Sequence, residues 1–192
     1  VTSLFFFLLA LTHCAAGVLS GCGKAFIRIS CLKRINTMKE RILVTGGTGY
    51  IGSHTVVELQ NSGYDVVVCD NLSNSSEKSL DRIQMITGKP VKFYLADIRD
   101  RAAMNRIFDN ESIDSVIHFA GLKAVGESVA KPWEYYDNNI TGTLTLIDVM
   151  RKHNVKNIIF SSSATVYGIP EYSPITEDFP KGQCMHPYGR TK

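Results

Sequence analysis

The chain has 192 residues, of which 44% are apolar and 20% charged, the composition of an ordinary globular protein with a core of useful size. Five of its 21 basic residues (Lys24, Arg28, Lys33, Arg34 and Lys39) and none of its 18 acids lie in residues 1–39, so the net charge of +3 belongs to that segment. The remainder is slightly acidic, which argues against a nucleic-acid surface. Cys14, Cys22 and Cys31 are also in the leading segment, and Cys69 and Cys184 lie too far apart for a disulfide framework or a zinc site, so no metal is expected.

The apolar run Leu4 to Leu11 is too short to span a bilayer. It has the look of a signal-peptide core, with small residues at Ala15-Ala16-Gly17, and Leu19-Ser20-Gly21-Cys22 looks like a lipoprotein cleavage site. No positive charge precedes the run, and the acid-free, arginine-containing stretch also suits an organelle transit peptide. We expect Met38 to be the true start and residues 1–37 to be a leader or upstream artefact, disordered and outside the core. Residues 38–192 are expected to form the folded domain, in a cytoplasmic protein with no membrane segment.

Arg41 to Thr45 is a mostly β-branched apolar run, Gly46, Gly49 and Gly52 follow, and an amphipathic segment ends near Asn61-Ser62-Gly63. This order reads strand, tight turn, helix. Gly46 lets the chain turn off the strand, Gly49 lets the backbone approach a pyrophosphate, and Gly52 lets the helix pack closely. The phosphates would meet free N–H groups at the helix N-terminus. No lysine stands where a mononucleotide phosphate loop needs one. A second strand, Asp65 to Asp70, ends on a carboxylate about 20 residues past the glycines, where it can bind a ribose 2′-hydroxyl and repel a 2′-phosphate. That points to NAD rather than NADP.

Asn71 to Ser76 reads as a polar loop, followed by a helix to about Thr87 and a break at Gly88-Lys89-Pro90. The third strand, Val91 to Leu95, leads to Asp97, which either accepts a hydrogen bond from an adenine amino group or caps the next helix. That helix runs to about Phe108. Strand four is Ser115 to Phe119, with His118 a packed strand residue. Ala120-Gly121 lets the cofactor approach, and Lys123 would pair with its phosphate. A long helix is expected from Pro132 to His153, with Asn138-Asn139 unfavourable in its middle and therefore candidates for a ligand. Strand five, Lys156 to Phe160, ends in Ser161-Ser162-Ser163. The alternation of strands and helices predicts an α/β fold, a Rossmann-like doubly wound parallel sheet with ligands at the strand C-termini.

Three polar side chains converge if this fold holds. Ser163 ends strand five, and Tyr188 and Lys192 share a face if Pro187 opens a helix. A free tyrosine ionises near pH 10 and is a weak base at neutrality. A neighbouring ammonium and a helix N-terminus favour its phenolate and bring it into range for proton transfer. Ser163 would hydrogen-bond the same substrate oxygen.

The stretches Val44 to His54, Asp70 to Ser75, Asp97 to Arg99, His118 to Ser128, Tyr135 to Asn139, Ser161 to Gly168 and Tyr188 to Lys192 resemble the extended branch of the short-chain dehydrogenase/reductase superfamily, and within it the UDP-glucose 4-epimerases. The likeness covers the body from about residue 40 and not the leader. It implies tightly held, recycled NAD⁺ contacted by Tyr50, Ile51, Asp70, Asn71, Leu72, Ser73, Asn74, Ser75, Asp97, Ile98, Phe119, Ala120, Gly121, Leu122, Lys123, Asn138, Tyr188 and Lys192. It implies Tyr188, Lys192 and Ser163 as the catalytic group, with Lys123, Ser163 and Tyr188 meeting a UDP-sugar. Tyr188 would take the proton of the sugar 4-hydroxyl while hydride leaves C4, and the 4-keto sugar would turn over and be reduced on its other face, as galactose metabolism requires. A homodimer is expected of the full-length protein. The related dehydratases place an Asp-Glu pair after the residue matching Ser163, and Ala164-Thr165 cannot do that work. UDP-glucuronate and UDP-pentose 4-epimerases, and a catalytically silent NAD(H)-binding module, remain alternatives. The resemblance also implies further strands and a smaller C-terminal substrate domain beyond Lys192, so the fold is expected to be truncated before that domain and these residues alone to be inactive.

Overall fold

The structure, a computed structural model, describes residues 39–192. The readings made for residues 1–37 and for Met38 lie outside the described residues. Five parallel strands, β1 (Arg41–Thr45), β2 (Asp65–Asp70), β3 (Lys92–Leu95), β4 (Ser115–His118) and β5 (Asn157–Phe160), form one sheet in the order β3-β2-β1-β4-β5. The order reverses between β1 and β4, so the chain leaves these two strands in opposite directions and opens a crevice at their C-terminal ends.

The alternation along β1 places its side chains on both faces of the sheet. Ile42 and Val44 pack with Val66, Val68 and Ile117 beneath Val56 and Leu59 of α1 (Tyr50–Asn61) and Ile83 of α2 (Lys78–Thr87). Leu43 points the other way, with Val67, Cys69 and Val116, onto Met104, Ile107 and Phe108 of α3 (Arg101–Asn110) and Leu146, Val149 and Met150 of α6 (Gly142–Lys152). Burial on both faces explains why β1 and β2 read as continuous apolar runs rather than alternating ones. Cys69 is buried, and burial pushes its thiol up to about 12.

One alternative closes and one expectation needs correction. The cap of α3 is Asp100, whose Oδ1 accepts from the N–H groups of Ala102 and Ala103 at 3.0 Å; Asp97 does not cap it. The long helix after Pro132 is not a uniform α-helix. It comprises α5 (Pro132–Tyr136), a π-helical turn (Asp137–Thr141) and α6, with the Gly142 N–H reaching back to the Asp137 carbonyl. A short helix, α4 (Val125–Ala130), precedes it. One residue more per turn shifts the side-chain phase of the helix, so that Asn138 and Asn139 both turn toward the strand ends. Pro187 does open a helix, the single turn α7 (Pro187–Arg190), which packs on α4 and α5.

Candidate active site

The crevice at the strand ends is lined by Gly46, by Gly49 to Gly52, by Cys69 to Asn71 with Ser73 and Asn74, by Ala96 and Ile98, by Phe119 to Lys123, and by Asn138. Most of the predicted cofactor contacts therefore share one cleft. Leu72, Ser75 and Asp97 are not among the lining residues, and Cys69 and Ala96 are lining residues that the sequence reading did not single out.

Gly46 turns off β1 with φ of +71°, and a Cβ there would stand 2.7 Å from the backbone nitrogen of Ala120. A Cβ on Gly52 would overlap the Gly46 carbonyl oxygen, so α1 starts directly against the turn. Gly49 precedes α1 without any side-chain cap, which leaves the first-turn N–H groups free for an anion. The Asp70 carboxylate, 7% exposed, accepts from Thr48 N–H at 3.1 Å, Leu72 N–H at 2.9 Å and the Ser75 hydroxyl at 3.0 Å. It thereby ties the glycine turn to the loop after β2. Leu72 takes a left-handed φ of 57° to aim its N–H at this carboxylate. A glycine turn that has no room for a Cβ, uncapped amides and a held carboxylate fit a dinucleotide.

At the other end of the cleft, the Lys192 ammonium donates to the Ser161 carbonyl at 2.9 Å, stands 5.1 Å above the Phe160 ring and ends against Gly121. Burial, with help from the charge on Lys123, lowers its pKa to about 8. The Tyr188 side chain is buried at the start of α7, its ring stacked on that of His186 with centroids 5.9 Å apart. His186 Nδ1 accepts from the Gly189 N–H at 3.0 Å and so holds that turn. Ser163 Oγ accepts from the N–H of Thr165 at 3.3 Å and from its hydroxyl at 3.0 Å, which leaves the serine proton to be donated elsewhere. Lys192 reaches the cleft wall at Gly121, and neither Ser163 nor Tyr188 is among the lining residues.

Asn139 holds this end together, a role distinct from that of Asn138 in the wall. Its Oδ1 accepts from Leu122 N–H at 2.8 Å, and its Nδ2 donates to the Leu122 carbonyl at 2.9 Å and to Thr191 Oγ1 at 2.9 Å. The loop after β4 and the segment that carries Lys192 are thus fixed to one buried amide. The only sign in the sequence was an asparagine pair in a helical stretch. His118, read as a packed strand residue, is packed as expected, and it bridges Thr45 Oγ1 at 2.6 Å and Thr143 Oγ1 at 2.9 Å. Among the described residues no cluster of His, Cys, Asp or Glu could hold a metal, and no helix is long and apolar enough to cross a membrane.

Residues 42–192 match the NAD dependent epimerase/dehydratase family. The chain is 65% identical over 151 residues to UDP-glucose 4-epimerase of Bacillus subtilis (79% of this chain, 44% of that protein), and 55% identical over 161 residues to that of Bos taurus (81% and 46%). Its fold is similar to the crystal structure of UDP-glucose 4-epimerase from Bifidobacterium longum in complex with NAD⁺ and UDP, with a TM-score of 0.78 at 62% identity, covering 79% of this chain and 45% of that one. The chain thus spans less than half the length of these relatives. By its matched length and by the geometry of its cleft, the chain belongs to the NAD dependent epimerase/dehydratase family.

Proposed function

We propose that the full-length protein interconverts UDP-glucose and UDP-galactose, holding NAD⁺ in the cleft between the β1 turn and Lys192. One observation carries this reading: a dinucleotide-shaped cleft runs from Asp70 to Gly121, against which the Lys192 ammonium ends. When bound, NAD⁺ would accept a hydride from sugar C4 and return it. The chain's own groups do the rest. The turn at Gly46 and the α1 amides hold the pyrophosphate, and Asp70 takes the adenosine ribose. Lys192 stands by the other ribose. Tyr188 removes the proton of the 4-hydroxyl as hydride leaves C4 and restores it when C4 is reduced on the other face. Ser163 donates to the same oxygen, and Lys123 offers charge to the phosphates of the UDP-sugar. Ala164 and Thr165 offer no acid–base pair for dehydration.

We also propose a homodimer and a cytoplasmic setting. Trp133, Ile140, Leu144 and Ile147 form an exposed apolar stripe along α5, the π turn and α6, suited to a second copy. Cys69 and Cys184 are free thiols, as a reducing compartment allows. The test is Tyr188→Phe in the full-length protein. Epimerisation should fall at least about 100-fold, the scale of lost general acid–base catalysis, with NADH binding retained. Unchanged turnover would remove Tyr188 from the mechanism.

A further inference from the structure

Arg99 and its partner Asp97 join two loops and the π turn around one end of the cleft. Its backbone N–H and its Nε both donate to Asp97 Oδ1 at 2.9 Å, and its Nη2 donates to Asp97 Oδ2 at 2.8 Å. Nη1 reaches the other way and donates to Asp137 Oδ2 in the π turn at 2.7 Å. Asp97 Oδ2 also accepts from Asn71 Nδ2 at 2.9 Å. The guanidinium thus joins the loop after β3 to the π turn, and the Asp97 carboxylate it grips also holds the loop after β2 through Asn71. Each of the three supplies a cleft-lining residue beside the joint: Asn71, Ile98 and Asn138. Arg99 does not line the cleft itself.

The position of this joint sets what it acts on. Asp70 ends β2, and β3 is the next and outermost strand on that side. With a ribose on Asp70, the group beyond it toward β3 is the adenine. We infer that Arg99 is a positioning residue that straps the adenosine end of the cleft shut by holding Asn71, Ile98 and Asn138 in one arrangement. This rests on the dinucleotide reading of the cleft. A guanidinium can serve a carboxylate bidentately and a third acceptor in the same plane, which an ammonium cannot. Without it, Asp97 and Asp137 would confront each other as like charges beside a ligand with two phosphates. The Arg99 side chain is 41% exposed, so its pairs add little to folding stability. A strap therefore shows itself in affinity more than in melting temperature.

The test compares full-length wild-type protein, freed of nucleotide, with Arg99→Ala, Arg99→Lys and Asp137→Asn. Affinity is measured by NADH fluorescence and by calorimetry with ADP-ribose, which carries the adenosine end without nicotinamide, and unliganded melting is recorded. Arg99→Ala and Asp137→Asn should bind both ligands about tenfold more weakly, the scale of one charge-assisted hydrogen bond. Their melting should stay within about 3 °C of wild type. Arg99→Lys should regain less than half of the loss. Amide exchange in residues 138–141 should quicken in both strap-cutting variants. Affinities within twofold of wild type in Asp137→Asn, which leaves the Asp97–Arg99 turn intact and keeps the test alive if Arg99→Ala fails to fold, would overturn the strap. So would a loss of affinity matched by a general fall in melting temperature. Wild-type protein that binds no NADH would overturn the reading of the cleft, and the strap with it.

Discussion

His118 should make this fold acid-labile within a defined pH window. The side chain is 2% exposed at the end of β4. Thr143 spends its hydroxyl proton on the Asn139 carbonyl at 2.6 Å, so His118 Nε2–H must donate to Thr143 Oγ1, and Nδ1 must accept the Thr45 hydroxyl. A second proton, on Nδ1, would force the Thr45 hydroxyl to turn its own proton away from the ring. Burial first, and the nearby Lys192 ammonium second, lower the His118 pKa from 6.5 to about 4. As pH falls below 6.5 the unfolded chain takes up a proton that the folded chain refuses, so stability is full above that pH and is lost progressively toward pH 4. Below about 4 both states are protonated and this loss stops. At about 1.4 kcal/mol per pH unit, the loss is on the order of 3 kcal/mol, a large share of the roughly 5–15 kcal/mol of a typical domain. Urea unfolding followed by circular dichroism between pH 7.5 and 4.5, on wild type and on His118→Gln, measures it. The glutamine variant keeps polar atoms near both threonines and cannot titrate. It should start less stable at pH 7.5 and lose far less across the window. Parallel pH dependence in the two proteins would refute the assignment.

Three other outcomes rest on the same geometry. Asp70→Asn removes the charge that would repel a 2′-phosphate and presents an amide N–H₂ toward the Thr48, Leu72 and Ser75 donors; NADH affinity should fall and the preference for NADH over NADPH should narrow about tenfold or more, read by fluorescence titration. Asn139→Ala leaves both backbone groups of Leu122 unpaired and releases Thr191; unfolding free energy should drop by about 2–4 kcal/mol, and bound Lys192 should become accessible to amine-modifying reagents. Glu111→Gln weakens the joint that the buried Glu111 carboxylate makes with Arg41, Lys92 and Tyr94 toward the N-terminal ends of β1 and β3; denaturant midpoints should fall by the equivalent of about 2 kcal/mol or more, with NADH affinity unchanged because the cleft lies at the opposite, C-terminal ends of the strands.

The first crossover was legible because its signals are local. Ile42, Leu43 and Val44 are apolar in succession because both faces of β1 are covered, and Gly46 and Gly52 stand where a Cβ would strike backbone. Asp70 sits at the end of its strand, and the residues just after it in sequence bond back to its carboxylate. Each of these requirements is expressed within a few residues of where it acts, so composition and spacing reveal it. Pro187 opening a helix at Tyr188 is legible for the same reason.

The rest of the cleft is built from partners that lie far apart in the chain, and there spacing is mute. Asn139 bonds across 17 positions to Leu122 and 52 to Thr191, and Arg99 across 38 to Asp137. A helical period drawn through 132–153 puts Asn138 and Asn139 on a regular surface where their poor helix propensity has no evident return. The π turn changes that account: it adds one residue to a turn, and its cost is offset by two amides delivered to the strand ends, one into the wall and one beneath the loop after β4. An asparagine pair inside a helix is thus explained by where the turn places it, and a residue disfavoured by its local structure becomes a reason to look for a distant partner. The Asn139→Ala variant tests that reasoning directly, since relief of a helix-disfavouring residue would by itself stabilise this helical stretch by a few tenths of a kcal/mol, roughly the propensity difference. A net loss in its place shows that the long-range bonds to Leu122 and Thr191 outweigh the local preference.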